Sequence, residues 1–98
     1  MVSLDEAIET YDALLVVAPR HAEGLSGRGV VLARLGRFEE SLASFEAAVE
    51  SDATLTKGWY NLGLALHKSG CNRRARVSFE RALELEVDHV RAIVELGS

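Results

Sequence analysis

Residues 58–79 read GWYNLGLALHKSGCNRRARVSF, and residues 24–45, which lie 34 positions earlier, read GLSGRGVVLARLGRFEESLASF. Extended to whole 34-residue units, the comparison pairs residues 22–55 with residues 56–89 without a gap. Nine of the 34 positions are identical: Gly24/Gly58, Gly29/Gly63, Leu32/Leu66, Gly36/Gly70, Ser44/Ser78, Phe45/Phe79, Glu46/Glu80, Ala48/Ala82 and Glu50/Glu84. A unit of this length repeated in tandem indicates a stack of similar supersecondary units that share a continuous core.

The spacing of apolar residues predicts that each unit folds into two helices. Trp59, Gly63 and Leu66 fall at i, i+4 and i+7, which places them on one face of a first helix. Gly70 follows the last turn of that helix, where a glycine favours the left-handed conformation that ends helices. Residues 3–6 (SLDE) form a capping-box pattern that begins a further helix. We expect helices at about 4–17, 22–35, 38–51, 56–69 and 72–85, and a helical stub at about 90–97.

The second full unit carries Trp59, Leu62 and Gly63 in its first half, and Ala75 and Phe79 in its second half. With this order and spacing, the chain resembles the tetratricopeptide repeat family, whose unit is a 34-residue helix-turn-helix. The resemblance implies an all-α fold, a right-handed α–α superhelix of stacked helical hairpins. It also implies a single domain over residues 1–98: 1–21 is the second helix of a partial repeat, 22–55 and 56–89 are full repeats, and 90–98 starts a further repeat.

The chain departs from the family pattern at several helix positions. Arg28 stands where the family usually has leucine, and Asn72 and Arg76 stand where the sister units have apolar residues. Ala53 and Val87 stand in the place of the late proline of the repeat. An arginine can bury its aliphatic stem and keep its charged head in water. These departures therefore reflect either drift at half-exposed positions or a basic face around residues 72–76 that contacts an acidic partner.

Composition argues against several classes of function. The 98 residues carry a formal charge of −4, so we expect no nucleic-acid partner, although Arg73, Arg74 and Arg76 lie close together. The single cysteine, Cys71, cannot form an internal disulfide. The sequence does not open on a basic and apolar leader, and no apolar run approaches the ~20 residues that span a bilayer. We therefore expect a cytoplasmic protein with no membrane partner.

The sequence offers no pattern typical of catalysis. His21, His67 and His89 lie in three different segments without metal-ligand spacing. The glycines of residues 24–29 lie inside a predicted helix with no preceding strand, which argues against a phosphate-binding loop. We predict that the chain is not an enzyme and that it uses no cofactor and no metal.

The resemblance also implies where a ligand binds. In proteins that this chain resembles, the first helices of the repeats line a concave groove that binds extended or helical peptides. Helical spacing places eight candidate groove residues there: Arg34, Lys57, Tyr60, Asn61, Leu64, His67, Lys68 and Arg91. Four of the eight are basic although the chain is acidic, which favours an acidic segment or a C-terminal carboxylate as ligand. We predict a protein-interaction scaffold that binds a protein or peptide segment in this groove.

Some members of the family grip the C-terminal carboxylate of heat-shock chaperones with a clamp of Lys, Asn and Arg. Asn61 and Arg91 match clamp positions in this chain. Ser26 and Val30 stand where a Lys and an Asn would be needed, and Glu95 replaces another basic residue. Because a carboxylate is repelled by a reversed charge, we do not expect this clamp to operate here.

Two other functions fit the same sequence. Terminal repeats normally have a polar outer face, yet the first predicted helix carries an apolar stripe formed by Leu4, Ile8, Tyr11 and Leu15. The chain could therefore be a structural module that forms a homo-oligomer through its apolar ends. It could also be an accessory segment of a longer enzyme or complex.

Overall fold

The computed structural model describes the backbone of residues 3–97 and the side chains of residues 3–94. Over this range the chain forms helices and turns and no strand. The five helices are α1 (Leu4–Val17), α2 (Ala22–Arg34), α3 (Phe38–Ser51), α4 (Thr56–Lys68) and α5 (Asn72–Gly97). The predicted all-α class is confirmed, and the first four helices begin and end within about a residue of their predicted bounds.

The helices stack as hairpins, each against its neighbours in the chain. α2 packs on α3 and α4 packs on α5, while α1 packs on α2 and α4 packs on both α2 and α3. A buried cluster joins the two hairpins: Phe45, Val49, Leu62, Leu66 and Ala75. A large apolar side chain contributes about 1.5–3 kcal/mol when it is fully buried, so this cluster stabilises the contact between successive repeats. The chain is therefore an all-α helical-repeat solenoid.

Each hairpin turns at a glycine with a left-handed backbone. Gly36 has a φ of 80° and Gly70 a φ of 82°, a region that side chains with a Cβ rarely adopt. After the first of these turns, the Arg37 N–H donates to the Leu32 carbonyl over 2.9 Å, and the Cys71 N–H donates equivalently to Leu66. These bonds satisfy carbonyl groups at the helix ends, and Gly36 ends its helix in the same way as predicted for Gly70.

A second pair of glycines lets the two helices of each hairpin approach closely. A Cβ built on Gly29 would lie 2.5 Å from a ring carbon of Phe45, and one on Gly63 would lie 2.7 Å from the ring of Phe79. Ser41 reinforces the first contact, because its hydroxyl donates to the Gly29 carbonyl over 2.7 Å in the buried interior. Gly29 and Gly63 therefore allow the paired helices of each hairpin to approach closely.

Arg28 joins three helices rather than keeping its charged head in water. Its Nε donates to the Asp12 carboxylate on α1 over 2.7 Å, and its Nη1 donates to the Ser44 hydroxyl on α3 over 2.9 Å. The Arg28 side chain is only 25% exposed. The unusual residue at this position therefore has a structural role, in contrast to Arg76, which is exposed on α5.

The last helix differs from the prediction. A helix end near residue 85 with a separate stub at about 90–97 is wrong, because α5 continues unbroken for 26 residues to Gly97. Residues 85–90 contain neither Gly nor Pro, and Val87 stands 68 positions after Pro19, the proline that follows α1. Nothing in this segment terminates a helix. The assignment of residues 90–98 to a further repeat stays a prediction, and residues 1, 2 and 98 lie outside the described residues.

The unbroken helix extends well beyond its partner. At a rise of 1.5 Å per residue, 26 residues make α5 about 39 Å long, against about 20 Å for the 13 residues of α4. The second half of α5 therefore projects past α4. Its exposed apolar residues include Val87, Val90, Ile93 and Val94.

Candidate peptide-binding groove

The candidate groove forms where the first helices of the two hairpins, α2 and α4, lie side by side. Asn61 on α4 donates from Nδ2 to the hydroxyl of Ser26 on α2 over 3.2 Å. One turn earlier, Lys57 Nζ lies 3.6 Å from the Glu23 carboxylate. We use "inner groove" for the surface that these two helices form with the adjoining parts of α1 and α3.

The more enclosed part of the inner groove is a cavity of about 220 Å³. It lies between α2, α3 and α4 and is lined by Val30, Ala33, Arg34, Phe38, Ser41, Phe45, Asn61, Leu64, Ala65 and Lys68. Pockets that hold drug-sized molecules measure about 300–1,000 Å³, so this cavity is small for a cofactor and suits a single apolar side chain. We call it the apolar pocket.

Two positive charges stand at the rim of the apolar pocket. Lys68 Nζ lies 5.9 Å from the centre of the Phe38 ring, a cation–π contact that holds the ammonium group beside the opening. Among the described side chains, no carboxylate lies within 4.0 Å of Lys68 or Arg34. Lys57, in contrast, is partly neutralised by Glu23. The positive character of the inner groove therefore comes mainly from Arg34 and Lys68.

A second, more open cavity of about 350 Å³ continues the groove toward α1. Its lining residues are Tyr11, Leu14, His21, Glu23, Gly24, Ser26, Gly27, Val30, Lys57 and Asn61. Val30 and Asn61 also line the apolar pocket, so the two cavities adjoin at the Asn61–Ser26 hydrogen bond. The inner groove is thus continuous from the end of α1 to the start of α3.

Five of the eight predicted groove residues line these two cavities: Arg34, Lys57, Asn61, Leu64 and Lys68. Tyr60 and His67 instead line hollows on the other flank of α4, toward α5. An α-helix turns 100° per residue, so Tyr60 and His67 are rotated about the axis of α4 by roughly 60° and 80° from Lys57. Arg91 lies on the part of α5 beyond α4 and is separated from the groove, because the expected turn before it does not form.

Sequence reasoning missed the contribution of α3. Phe38, Ser41 and Phe45 line the apolar pocket, and Phe38 is 52% exposed although it continues the apolar stripe of its helix. One signal could have identified it. The equivalent residue of the next repeat is the polar Asn72, which indicates that this position can lie at the surface.

Two surface turns contain hydrogen-bonded carboxylates with altered pKa values. The hydrogen bond from Arg37 lowers the pKa of Glu40, and the same contact raises the pKa of Arg37. The hydroxyl and the backbone N–H of Thr54 both donate to Asp52 and lower the pKa of its carboxyl. These bonds stabilise the turns that precede α3 and α4, and so they help to fix the helices around the groove.

Among the described residues, no three His, Cys, Asp or Glu side chains converge as metal ligands would. None of the helices described there is both long enough and apolar enough to cross a bilayer.

Comparison with known proteins agrees with this architecture. A sequence profile described as tetratricopeptide repeat matches residues 3–55, and a second one with the same description matches residues 56–89. The chain belongs to the tetratricopeptide repeat family. The two matches meet between Leu55 and Thr56, at the first residue of α4.

Curated relatives include much longer proteins. The chain is 34% identical over 98 residues to "Protein CTR9 homolog" of Arabidopsis thaliana, a match that covers 96% of this chain and 9% of that protein. It is 32% identical to human "Tetratricopeptide repeat protein 7B", covering 86% of this chain and 10% of the relative. A co-chaperone of Aspergillus fumigatus, sgt12, is 30% identical, with coverages of 83% and 24%. The chain therefore spans a small fraction of the length of these relatives.

Solved structures share the fold over most of this chain. A crystal structure of MamA superposes with a TM-score of 0.84 at 19% identity and covers 90% of this chain and 52% of its own. The structure titled "First TPR of Spaghetti (RPAP3) bound to HSP90 peptide SRMEEVD" superposes with a TM-score of 0.81 at 26% identity. That match covers 97% of this chain and 81% of the other.

Proposed function

We propose that this tetratricopeptide repeat chain is a non-enzymatic interaction scaffold that binds an acidic peptide segment in the inner groove. The observation that carries the proposal is the arrangement of Arg34 and Lys68 at the rim of the apolar pocket, two cations with no carboxylate within 4.0 Å among the side chains that the structure describes. Each residue stands at the same position of its own repeat, 34 residues apart. The repeat therefore presents two equivalent positive charges along one groove.

The ligand is expected to bind through both charge and apolar contact. One apolar side chain of the peptide enters the apolar pocket against Leu64 and Phe38, while acidic groups beside it meet the two cations. Asn61 uses its amide N–H to bind Ser26, which leaves its carbonyl oxygen to accept a backbone N–H from the peptide. Because the groove is built from helices that are already formed, the receptor loses little conformational freedom on binding.

The solved complex supports a peptide as the class of ligand. The peptide bound in that complex, SRMEEVD, contains three acidic residues. The heat-shock clamp of the family does not transfer, because Ser26 is buried and bonded to Asn61, and Val30 lines both cavities. In this chain the cations are Arg34 and Lys68. We therefore expect the peptide to lie at a different position along the groove from a peptide held by that clamp.

Fluorescence anisotropy with defined peptides tests the proposal. The probes are labelled seven-residue peptides with one central Leu or Phe and flanking Glu or Asp, the same peptides with Lys in place of the acids, and SRMEEVD. We expect the acidic probes to bind, the Lys probes to fail, and binding to weaken as salt is raised, because exposed charges are screened. Failure of every acidic probe to show saturable binding would contradict the proposal.

Charge-reversal variants locate the site. The double variant Arg34→Glu/Lys68→Glu should weaken binding of the acidic probes at least tenfold. The matched control is Arg73→Glu/Arg76→Glu, which makes the same change in net charge at two exposed positions outside the groove-lining set. Equal affinities for the double variant and the control would show that the peptide binds elsewhere.

A further inference from the structure

The second hairpin exposes a surface whose equivalent in the first hairpin is buried. Leu83 is 62% exposed, whereas the equivalent Val49 is 7% exposed. Tyr60 is 52% exposed, against 2% for the equivalent Ser26. We use "end face" for the surface of Tyr60, Phe79 and Leu83, which is flanked by two open hollows of about 400 Å³ each.

In the first hairpin this surface is covered by α4. A Cβ on Gly58 would lie 3.2 Å from Val49 Cγ1, which shows how closely the start of α4 approaches α3. Leu62, one turn further along α4, joins the buried cluster that contains Val49 and Phe45. A helix that covers the end face in the same way needs a small residue and then a leucine at this spacing.

Residues 90–97 carry that pattern. At an offset of 34 residues, Ala92 aligns with Gly58, Ile93 with Trp59 and Leu96 with Leu62. In the structure, however, the segment continues α5 without a break and projects beyond α4. A continuous helix cannot turn back onto its own hairpin, so residues 90–97 do not cover the end face of their own chain.

We propose that the end face binds residues 90–97 of a second copy of this chain, in a two-fold symmetric dimer in which the α5 helices exchange. Each α5 projects past its own α4, and its last turns lie on the partner's Phe79 and Leu83, as α4 lies on Phe45 and Val49. Two-fold symmetry makes every such contact twice and leaves neither end face uncovered. The proposal does not rest on peptide binding in the inner groove: Lys57 lines both surfaces, but Arg34 and Lys68, which carry the peptide proposal, lie outside the end face.

The alignment of the exchanged segment with α4 predicts one contact between charged side chains of the two copies. Arg91 aligns with Lys57, and Lys57 aligns with Glu23. Lys57 and Glu23 form an ion pair between α4 and α2, so the exchanged helix brings Arg91 toward the partner's Lys57. This like-charge contact opposes the dimer, and Arg91→Glu converts it into an attractive pair. Each exposed ion pair contributes up to about 1 kcal/mol and the symmetric dimer makes the contact twice, so the variant should tighten dimerisation by about two- to thirtyfold.

Light scattering coupled to size-exclusion chromatography tests the exchange on the 98-residue chain. We expect a dimer that dissociates on dilution, and monomers for Leu83→Glu and Ile93→Glu, whose exposed side chains make no large contribution to the monomer core. The matched control is Val77→Glu, also on α5 and 53% exposed, but rotated by about 160° from Phe79. A wild-type chain that stays monomeric up to millimolar concentration overturns the proposal, and so does a dimer that survives both variants.

A proline variant distinguishes exchange from other modes of dimerisation. Val87→Pro restores the proline that normally ends a repeat, which breaks α5 and lets residues 90–97 fold back onto their own end face. The expected product is a folded monomer with little loss of helical circular dichroism. A Val87→Pro protein that remains dimeric contradicts exchange. Arg34→Glu/Lys68→Glu should remain dimeric and Ile93→Glu should still bind acidic probes, so the two proposals fail separately.

Discussion

The ring of Phe45 lies directly on the backbone of Gly29, so that a Cβ at Gly29 would stand 2.5 Å from the nearest ring carbon. Phe79 makes the same contact with Gly63 in the second hairpin. In each hairpin, an aromatic ring of the second helix therefore packs in the space that a Cβ on the glycine of the first helix would need. The contact explains why the glycine and the aromatic residue recur together at an offset of 34 residues.

Replacement of Gly29 by alanine should destabilise the chain. The added methyl group collides with the Phe45 ring, and overpacking of this kind costs about 1–3 kcal/mol, against a gain of about 1 kcal/mol in helix propensity. Because an approach of 2.5 Å lies far inside van der Waals contact, the cost should be in the upper part of this range, about 2–3 kcal/mol. We therefore expect a net loss of about 1–2 kcal/mol in the free energy of unfolding, measured by urea denaturation. Adding Phe45→Leu should recover part of the loss, and a Gly29→Ala protein as stable as the parent would contradict the interpretation.

Arg28 should stabilise the fold more through Ser44 than through Asp12. The Ser44 hydroxyl is buried and loses a partner in Arg28→Met, at a cost of about 1–3 kcal/mol, whereas exposed ion pairs contribute at most about 1 kcal/mol. In double-mutant cycles read by thermal unfolding, the coupling of Arg28 to Ser44 should exceed its coupling to Asp12. A larger coupling energy between Arg28 and Asp12 than between Arg28 and Ser44 would contradict this prediction.

The turn before α4 should contribute to the pH dependence of stability. Thr54 lowers the pKa of Asp52 in the folded chain, below its ordinary value of 3.8. A group with a lowered folded-state pKa stabilises the fold above its ordinary pKa, and this contribution is lost as the pH falls through the folded-state pKa. Thr54→Val should therefore raise the Asp52 pKa, as measured by NMR titration of the side-chain carboxyl. An unchanged titration curve would show that the Thr54 hydroxyl has no such effect.

Phe38 should matter for ligand binding and little for folding. The Phe38 ring is 52% exposed and forms a wall of the apolar pocket. Phe38→Ala should therefore lower the affinity for the acidic probes about five- to tenfold. The loss in the free energy of unfolding should stay below about 1 kcal/mol, whereas Phe45→Ala, at a buried position, should lose about 3–5 kcal/mol. Equal probe affinity for Phe38→Ala and the parent would exclude this residue from the site.

Helix positions could be predicted from the sequence wherever local chemistry and tandem repetition agreed. Gly36 and Gly70 end α2 and α4 because only glycine readily adopts the backbone conformation there, and the same signal occurs at the same place in both units. The segment around Val87 lacked such a signal. A family pattern suggested a break there, but the residues themselves favour a continuous helix.

The groove could be predicted only in part. Helical spacing placed Asn61, Leu64 and Lys68 on one face of α4, and the structure brings all three to the apolar pocket. The contribution of Phe38 depends on how the start of α3 lies beside α4, a tertiary relationship that spacing along a single helix does not contain. The neutralisation of Lys57 by Glu23 is likewise a contact between helices.

Every helix of this chain packs against helices one or two places away in sequence. Energetic coupling between the two ends of the solenoid must therefore pass through each intervening hairpin, as in a one-dimensional array. Such local connectivity favours rapid folding, because few long loops have to close before the core forms. It also allows the outermost helices to open while the centre stays closed, so amide hydrogen exchange should be slowest in α3 and α4, where the buried Phe45–Leu62 cluster lies.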